Sequence, residues 1–460
     1  MIFTPSAAPA LSSRLLWLVF TSALVIRFAY VLGFYLGIGP DALTANDSIV
    51  YASSASQILD QGLGAWQVDL MPLYPLFLAA HYAIQGSTDP LFPVLTQCAL
   101  DACTAVMAGL IAGRLDRNLA LPAGLFAALC PTLIITAGII YTDSLFLFFA
   151  TAALLAAQRW LQRPGWACAI LLGTTLGLAL FTRVMIAPWA AGLLAALPLG
   201  ALLLRRFNWR APLQMGLVAF LCAGLQSPVL VRNAIEFDSF GLTAQGGSHA
   251  LYWIAPLVRE AVDGTSQEAG ADDLRQRFNA TDAATETNPF RRSNAMSAYA
   301  LDELGHLGLG AIAKSWTIGA AINLGAPATI LSPPVADLPR TGFYDTPGVS
   351  KGEKMVNFLF ANDNPGYAWI LLISLAGLGL VRLVQLGGVL SLACRGREVR
   401  IALLLLFGWI AFILLINGPI ASAKYRLPIE PAMGIFFAQG FRVFVERWRG
   451  RARPILRRHR

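Results

Sequence analysis

Charge is scarce in this chain. Only 13% of its 460 residues are charged, about half of the ~25% usual in soluble domains. With 56% hydrophobic residues and a mean hydropathy of +0.60, a water-soluble globule of this size is excluded, and so is a disordered or fibrous chain. Histidine is scarce too: His81, His249, His306 and His459 are too few to suggest His-based metal chemistry. Five of the cysteines (Cys98, Cys103, Cys130, Cys168 and Cys222) lie in apolar stretches, and Cys394 lies in a basic turn. With no CxxC pair, neither a zinc nor a disulfide framework is expected. No solenoid-period repeat and no low-complexity linker is visible.

What the chain has is long apolar runs. A helix crossing the hydrocarbon core needs about 20 mostly apolar residues. Ten stretches meet that rule: 15–37, 90–113, 118–138, 143–159, 165–182, 184–204, 211–231, 366–386, 400–418 and 426–442. The first is too long for a cleavable signal peptide, and no small-residue cleavage site follows it.

The formal charge is +8, and its placement sets an orientation. Basic residues recur in the connections, as Arg114 and Arg117, Arg159 and Arg163, then Arg205, Arg206 and Arg210, then Arg395, Arg397 and Arg400. The tail from Arg442 to Arg460 carries eight Arg and one Glu. Ten spans place both termini and all these clusters on one side, the cytoplasm. The positive charge therefore reflects membrane topology rather than a nucleic-acid partner.

Two long segments then face outward. Residues 38–89 hold an amphipathic stretch, Asp47–Leu63, and a short apolar one, Leu73–Ile84, read as interfacial or re-entrant. In residues 232–365 acids outnumber bases. Within them 307–331, interrupted by Lys314, reads as a helix lying on the outer membrane face, since an eleventh span would move the arginine tail outside. The expected organisation is an N-terminal membrane module (1–231) with 38–89 as its first outer loop, an outer segment (232–365), C-terminal transmembrane helices (366–445) and a basic tail (446–460). The fold class is all-α and polytopic.

Some polar residues are odd in this topology. Arg183, Arg232, Lys424 and Arg426 lie at the outer ends of spans, where positive residues should be rare. Together they could hold a lipid phosphate through charge-assisted bonds; singly, each could snorkel to headgroups. Asp47, with Tyr51 one helical turn on, and Asp143, beside Tyr141, lie at the same level; so does Tyr425. Either acid could merely cap a helix. Two carboxylates facing cations would also serve general-base chemistry, with Tyr51, Tyr141 and Tyr425 lining the pocket. Arg27 and Asp101 are mid-span, where charges are expensive and paired, and are expected to form a structural ion pair.

Four local patterns carry a resemblance. They are Asp47-Ser-Ile-Val-Tyr51-Ala52 with Gly62 and Pro72-Leu-Tyr-Pro75; Gly177-Leu-Ala-Leu-Phe-Thr-Arg183; Pro228-Val-Leu-Val-Arg232-Asn233 with Gly246-Gly247; and Lys424-Tyr-Arg-Leu-Pro-Ile-Glu430-Pro431. In this order they resemble the glycosyltransferase family 39-like branch of the GT-C membrane glycosyltransferases, which includes protein O-mannosyltransferases and lipid A aminoarabinose transferases. Where many relatives have Asp-Glu in the first loop, this chain has Asp47-Ser48.

The resemblance implies a GT-C-like bundle in a bacterial inner membrane with its active site facing the periplasm. It implies inverting transfer of a hexosyl or pentosyl group from a polyprenyl-phosphate donor to an envelope acceptor: glycolipid, polysaccharide or protein. The first-loop base role carries onto Asp47, with Asp143 as second acid and Arg183, Arg232, Lys424 and Arg426 on the donor phosphate. No metal ligands are assigned; a divalent metal ion is the one cofactor left open. Two other classes compete. A transporter or flippase for a lipid-linked envelope precursor would place its polar site at the midplane, and a non-catalytic envelope partner would use the outer segment for binding.

Overall fold

The computed structural model describes residues 12–336, 338, 346–361 and 364–457. Among them the regular structure is helical, as the long apolar runs require, since a helix satisfies its own backbone inside lipid. Parts of the expected outer segment (337, 339–345, 362 and 363) and the last three residues of the expected basic tail lie outside the described residues.

The first half comprises α1 (Ser13–Ile38), α2 (Asn46–Gln61), α3 (Leu73–Gln85), α4 (Leu91–Leu115), α5 (Ala120–Leu129), α6 (Pro131–Ala137), α7 (Asp143–Gln162), α8 (Trp166–Thr182), α9 (Ala187–Leu203), α10 (Ala211–Gly224) and α11 (Ser227–Phe237). The outer segment holds α12 (Gln245–His249), α13 (Ala255–Asp263), α14 (Gln267–Asn279), α15 (Pro289–Gly325), α16 (Pro333–Ala336) and α17 (Lys351–Phe360). Then follow α18 (Pro365–Ala393), α19 (Arg397–Asn417) and α20 (Glu430–Arg457).

Among the described residues six helices are long and apolar enough to cross a membrane, and up to eight crossings result if two bent pairs each count as one. The protein is therefore a multi-pass membrane protein. The expected count of ten is corrected in detail. Span 118–138 is α5 and α6, bent by 50° at Pro131. Span 211–231 belongs to α10 and α11, bent by 48°, with Pro228 opening the second helix. Proline removes a backbone donor and clashes with the preceding turn, so it bends a helix without changing its hydropathy. Span 165–182 is helical but short, at 17 residues, and span 426–442 starts late, because Ala423–Ile429 is a 3₁₀ segment.

Side-chain bonds gather the basic turns at one end of the bundle. Asp116 accepts from Arg395 at 2.9 Å and Arg442 at 2.6 Å, Arg206 pairs with Glu398 at 2.5 Å, and Arg114 donates to Gln162. Helices α18 and α20 run side by side towards this end. They cross so closely that a Cβ on Gly388 would strike the carbonyl of Phe436, and one on Gly440 that of Val384.

The outer segment has a small core of its own around Leu251, Val258, Leu274 and Phe278. Helix α15 breaks at Gly308 (φ 83°), a left-handed conformation that favours glycine. Its second half packs on the top of α19 and the loop beyond: Trp316 donates to the Leu415 carbonyl, and Asn323 bonds Ile420 and Ser422.

Candidate active site

At the end opposite the basic turns, four chain segments meet. The first loop is pinned by Ser48, whose Oγ donates to the Ile140 carbonyl at 2.8 Å and accepts from the Ala45 amide. The Ile140 amide in turn donates to the Leu43 carbonyl. This zip sets the start of α2 beside the loop that opens α7. Ser48 is thus a buried joint.

Asp47, in the first turn of α2, is 57% exposed, and its Oδ2 lies 2.6 Å from Lys424 Nζ. The ammonium also sits 3.8 Å from the centroid of the Tyr141 ring. Burial disfavours its charge, but Asp143, Tyr141 and Asp47 outweigh that and hold its pKa above the ordinary lysine value. Lys424 is therefore charged at neutral pH. Burial pushes the Tyr141 phenol up to about 12, against the pull of Lys424. It also raises Tyr51 and Tyr425, each of which feels both Arg183 and Lys424. These phenols stay protonated and can donate hydrogen bonds.

Asp143, the first residue of α7, is only 3% exposed; its Oδ1 accepts from Arg183 Nη1 at 2.7 Å. Its Oδ2 is buried without a hydrogen-bond partner. An unpaired buried carboxylate oxygen is costly, and a substrate hydroxyl would satisfy it. Arg183 ends α8 and also lies over the Phe146 ring.

Two of the four expected phosphate-binding cations do not join this cluster. Arg232 stacks 4.1 Å from the Trp66 centroid and donates to the carbonyls of Gly64 and Trp66 and to Asn233. Its donors fasten the first loop. Arg426 is 2% exposed and bonds Glu430, Thr132 and the carbonyl of Ala326, so it points into the bundle. The structure brings together Asp47, Tyr51, Tyr141, Asp143, Arg183, Lys424 and Tyr425. Arg27 and Asp101 lie apart from them, 2.5 Å from each other and fully buried.

One neighbour was not singled out in the sequence. His249 ends α12, next to a π-helical turn at Ala250–Ile254. Burial, and then the charge of Arg183, hold its pKa below the usual histidine value. Such turns often mark functional sites, but they leave no spacing signal. Among the described residues no group of three His, Cys, Asp or Glu is placed to hold a metal ion.

Fold and cluster together define a multi-pass membrane protein with paired acids and cations at one end. Residues 89–242, a third of the chain, match the family model "Dolichyl-phosphate-mannose-protein mannosyltransferase". This agrees with the resemblance read from the motifs: over that stretch the chain is similar to the family 39-like GT-C membrane glycosyltransferases. No curated protein sequence matches. Two crystal structures of ArnT from Cupriavidus metallidurans align with it at 15% identity and a TM-score of 0.39. The apo structure covers 93% of this chain and 78% of its own; the one bound to undecaprenyl phosphate covers 92% and 78%. Likeness at that level equates neither the folds nor their ligands.

Proposed function

We propose that this protein transfers a sugar from a polyprenyl-phosphate donor to an envelope acceptor on the periplasmic face of a bacterial inner membrane. The observation that carries the reading is the Asp47–Lys424 contact beside Asp143–Arg183. It joins residues from three of the four motifs in one cluster of acids and cations.

The donor phosphate binds Lys424 and Arg183, which stabilise the charge that grows on the leaving polyprenyl phosphate. A phosphate arriving at Lys424 competes with Asp47 for the ammonium. Donor binding thus frees the exposed carboxylate to take the proton of the attacking acceptor hydroxyl. Asp143 holds Arg183 in place and offers its unpaired Oδ2 to a sugar or acceptor hydroxyl. The outer segment, α12 to α17, selects the acceptor. The transporter reading is weaker, because this polar cluster stands at helix ends, while the mid-helix pair Arg27–Asp101 is sealed from solvent.

The test is single-turnover sugar release from a panel of polyprenyl-phosphate sugars, with acceptor-bearing membrane extract supplied. Wild type should release sugar. Asp47→Asn should bind donor at least as tightly as wild type, since the competitor for Lys424 is gone, and turn over about 10²-fold or more slowly, the usual scale for losing a general base. Normal turnover by Asp47→Asn would remove the assignment, and no release by wild type from any donor would remove the function.

A further inference from the structure

Lys424 pairs with the candidate base, yet little in its own stretch of chain fixes it. Its ammonium rides on a flexible four-carbon stem, so its reach depends on where the backbone stands. It lies in the 3₁₀ segment Ala423–Ile429, whose hydrogen bonds are poorer than those of an α-helix. Residues 418–422, which lead into that segment from α19, form no helix. They begin with Gly418 at φ 59°, a conformation that favours glycine. Backbone groups in such a stretch need partners from elsewhere.

The partners come from the outer segment. On the second half of α15, Ser315, Gly319 and Asn323 are buried and recur every four residues, so they share one face of the helix. Ser315 donates to the Leu257 carbonyl of α13 at 3.1 Å. At Gly319 the helix meets the loop so closely that a Cβ would strike the Gly418 carbonyl. One turn on, Asn323 is fully buried, and its amide stands in for a missing backbone neighbour. Its Nδ2 donates to the Ile420 carbonyl at 3.1 Å, and its Oδ1 accepts from the Ser422 amide at 2.9 Å. Ser422 Oγ in turn accepts from the Lys424 amide at 3.3 Å. On the other side of Lys424, Arg426 donates to the Asn323 carbonyl at 3.3 Å. The residues that flank Lys424, Ser422 and Arg426, are thus both tied to Asn323.

We propose that Asn323 is a positioning residue: it holds the loop that sets the Lys424 ammonium where the donor phosphate binds. The proposal rests on the reading of Lys424 as a phosphate ligand. Because α15 belongs to the outer segment, that segment gains a hold on the donor side of the reaction.

Equilibrium binding of undecaprenyl phosphate to the full-length protein in detergent tests this. Lys424→Ala should weaken binding about tenfold or more, the scale of a lost charge-assisted bond. Asn323→Ala should weaken it roughly fivefold, the scale of one neutral hydrogen bond. Added to Lys424→Ala, it should change nothing further, whereas a merely structural loss would weaken binding in both backgrounds. Ser422→Ala removes only the hydroxyl that receives the Lys424 amide. It should show the same dependence on Lys424, which decides the matter where Asn323→Ala does not fold. No binding by wild type would remove the functional reading and this assignment with it. Unchanged binding by folded Asn323→Ala, or further weakening when it joins Lys424→Ala, would overturn the assignment and leave the functional reading standing.

Discussion

Asp101 can carry charge inside the bundle only because Arg27 reaches it. The guanidinium donates to the carboxylate at 2.5 Å and spends its other donors on the carbonyls of Ala23, Ala127 and Ala128. It thereby clamps α1, α4 and α5. Breaking one side of such a pair leaves a bare buried charge, at a cost of about 3–5 kcal/mol. Asp101→Asn should therefore lower the thermal midpoint strongly, and adding Arg27→Leu to it should recover part of the loss. An Asp101→Asn protein that melts like wild type would show that the pair contributes nothing. Lys424 and Arg426 teach a different lesson at the same scale. They stand two residues apart in a 3₁₀ segment with about three residues per turn, so one faces the acids and the other the bundle interior. Their shared membrane level was legible in the sequence; their opposite directions were not, because the 3₁₀ geometry leaves no mark in hydropathy.

At the scale of elements, the turn after α4 works as a joint. Asp116 is partly buried, which raises its pKa, but the hydrogen bonds from Arg442 and Arg395 outweigh this and leave it below the ordinary aspartate value. A carboxylate lowered on folding stabilises the protein above its unfolded pKa of about 3.9, and that contribution is lost as pH falls through the folded value. Melting followed from pH 7 down to about pH 3 should show a steeper loss for wild type than for Asp116→Asn, which starts lower and changes less. Parallel curves would mean the joint carries no linked proton. The helices themselves were legible: each of the ten expected ranges is mostly helical, broken at Cys130 and at Leu225–Gln226 and opened by 3₁₀ residues at Arg117–Leu119, Val184–Ile186 and Ala423–Ile429, because apolar runs of that length have no other stable form in lipid. The bend at Pro131 was visible as a proline but not as an angle, since hydropathy is blind to direction. His249 could not be found at all. It comes within the field of the Arg183 charge through the fold of the outer segment, a long-range proximity with no local pattern.

For the whole molecule, the decisive feature is that its two ends differ in chemistry. The turns after α4, α7, α9 and α18 are arginine-rich and tied to one another through Asp116, Gln162 and Glu398. The candidate active site stands at the other end of the bundle: Tyr141 and Asp143 at the start of α7, Arg183 between α8 and α9, and Lys424 and Tyr425 just before α20, with Asp47 and Tyr51 of α2 beside them. Charge bias in the connections orients a bundle, with the basic end retained in the cytoplasm, so the acidic end must face outward for the proposed periplasmic transfer. The chain supplies its own probe. Cys394 is exposed, just past α18 at the basic end, whereas the other five cysteines are buried or half-buried. A membrane-impermeant maleimide should leave Cys394 unlabelled in intact spheroplasts and label it in inverted vesicles. Leu63→Cys, exposed in the first loop, should show the reverse in a Cys394→Ser background. Labelling of both positions from the same side would contradict the bundle's polarity, and labelling of Cys394 from outside would place the candidate active site in the cytoplasm, where the proposed periplasmic transfer could not occur.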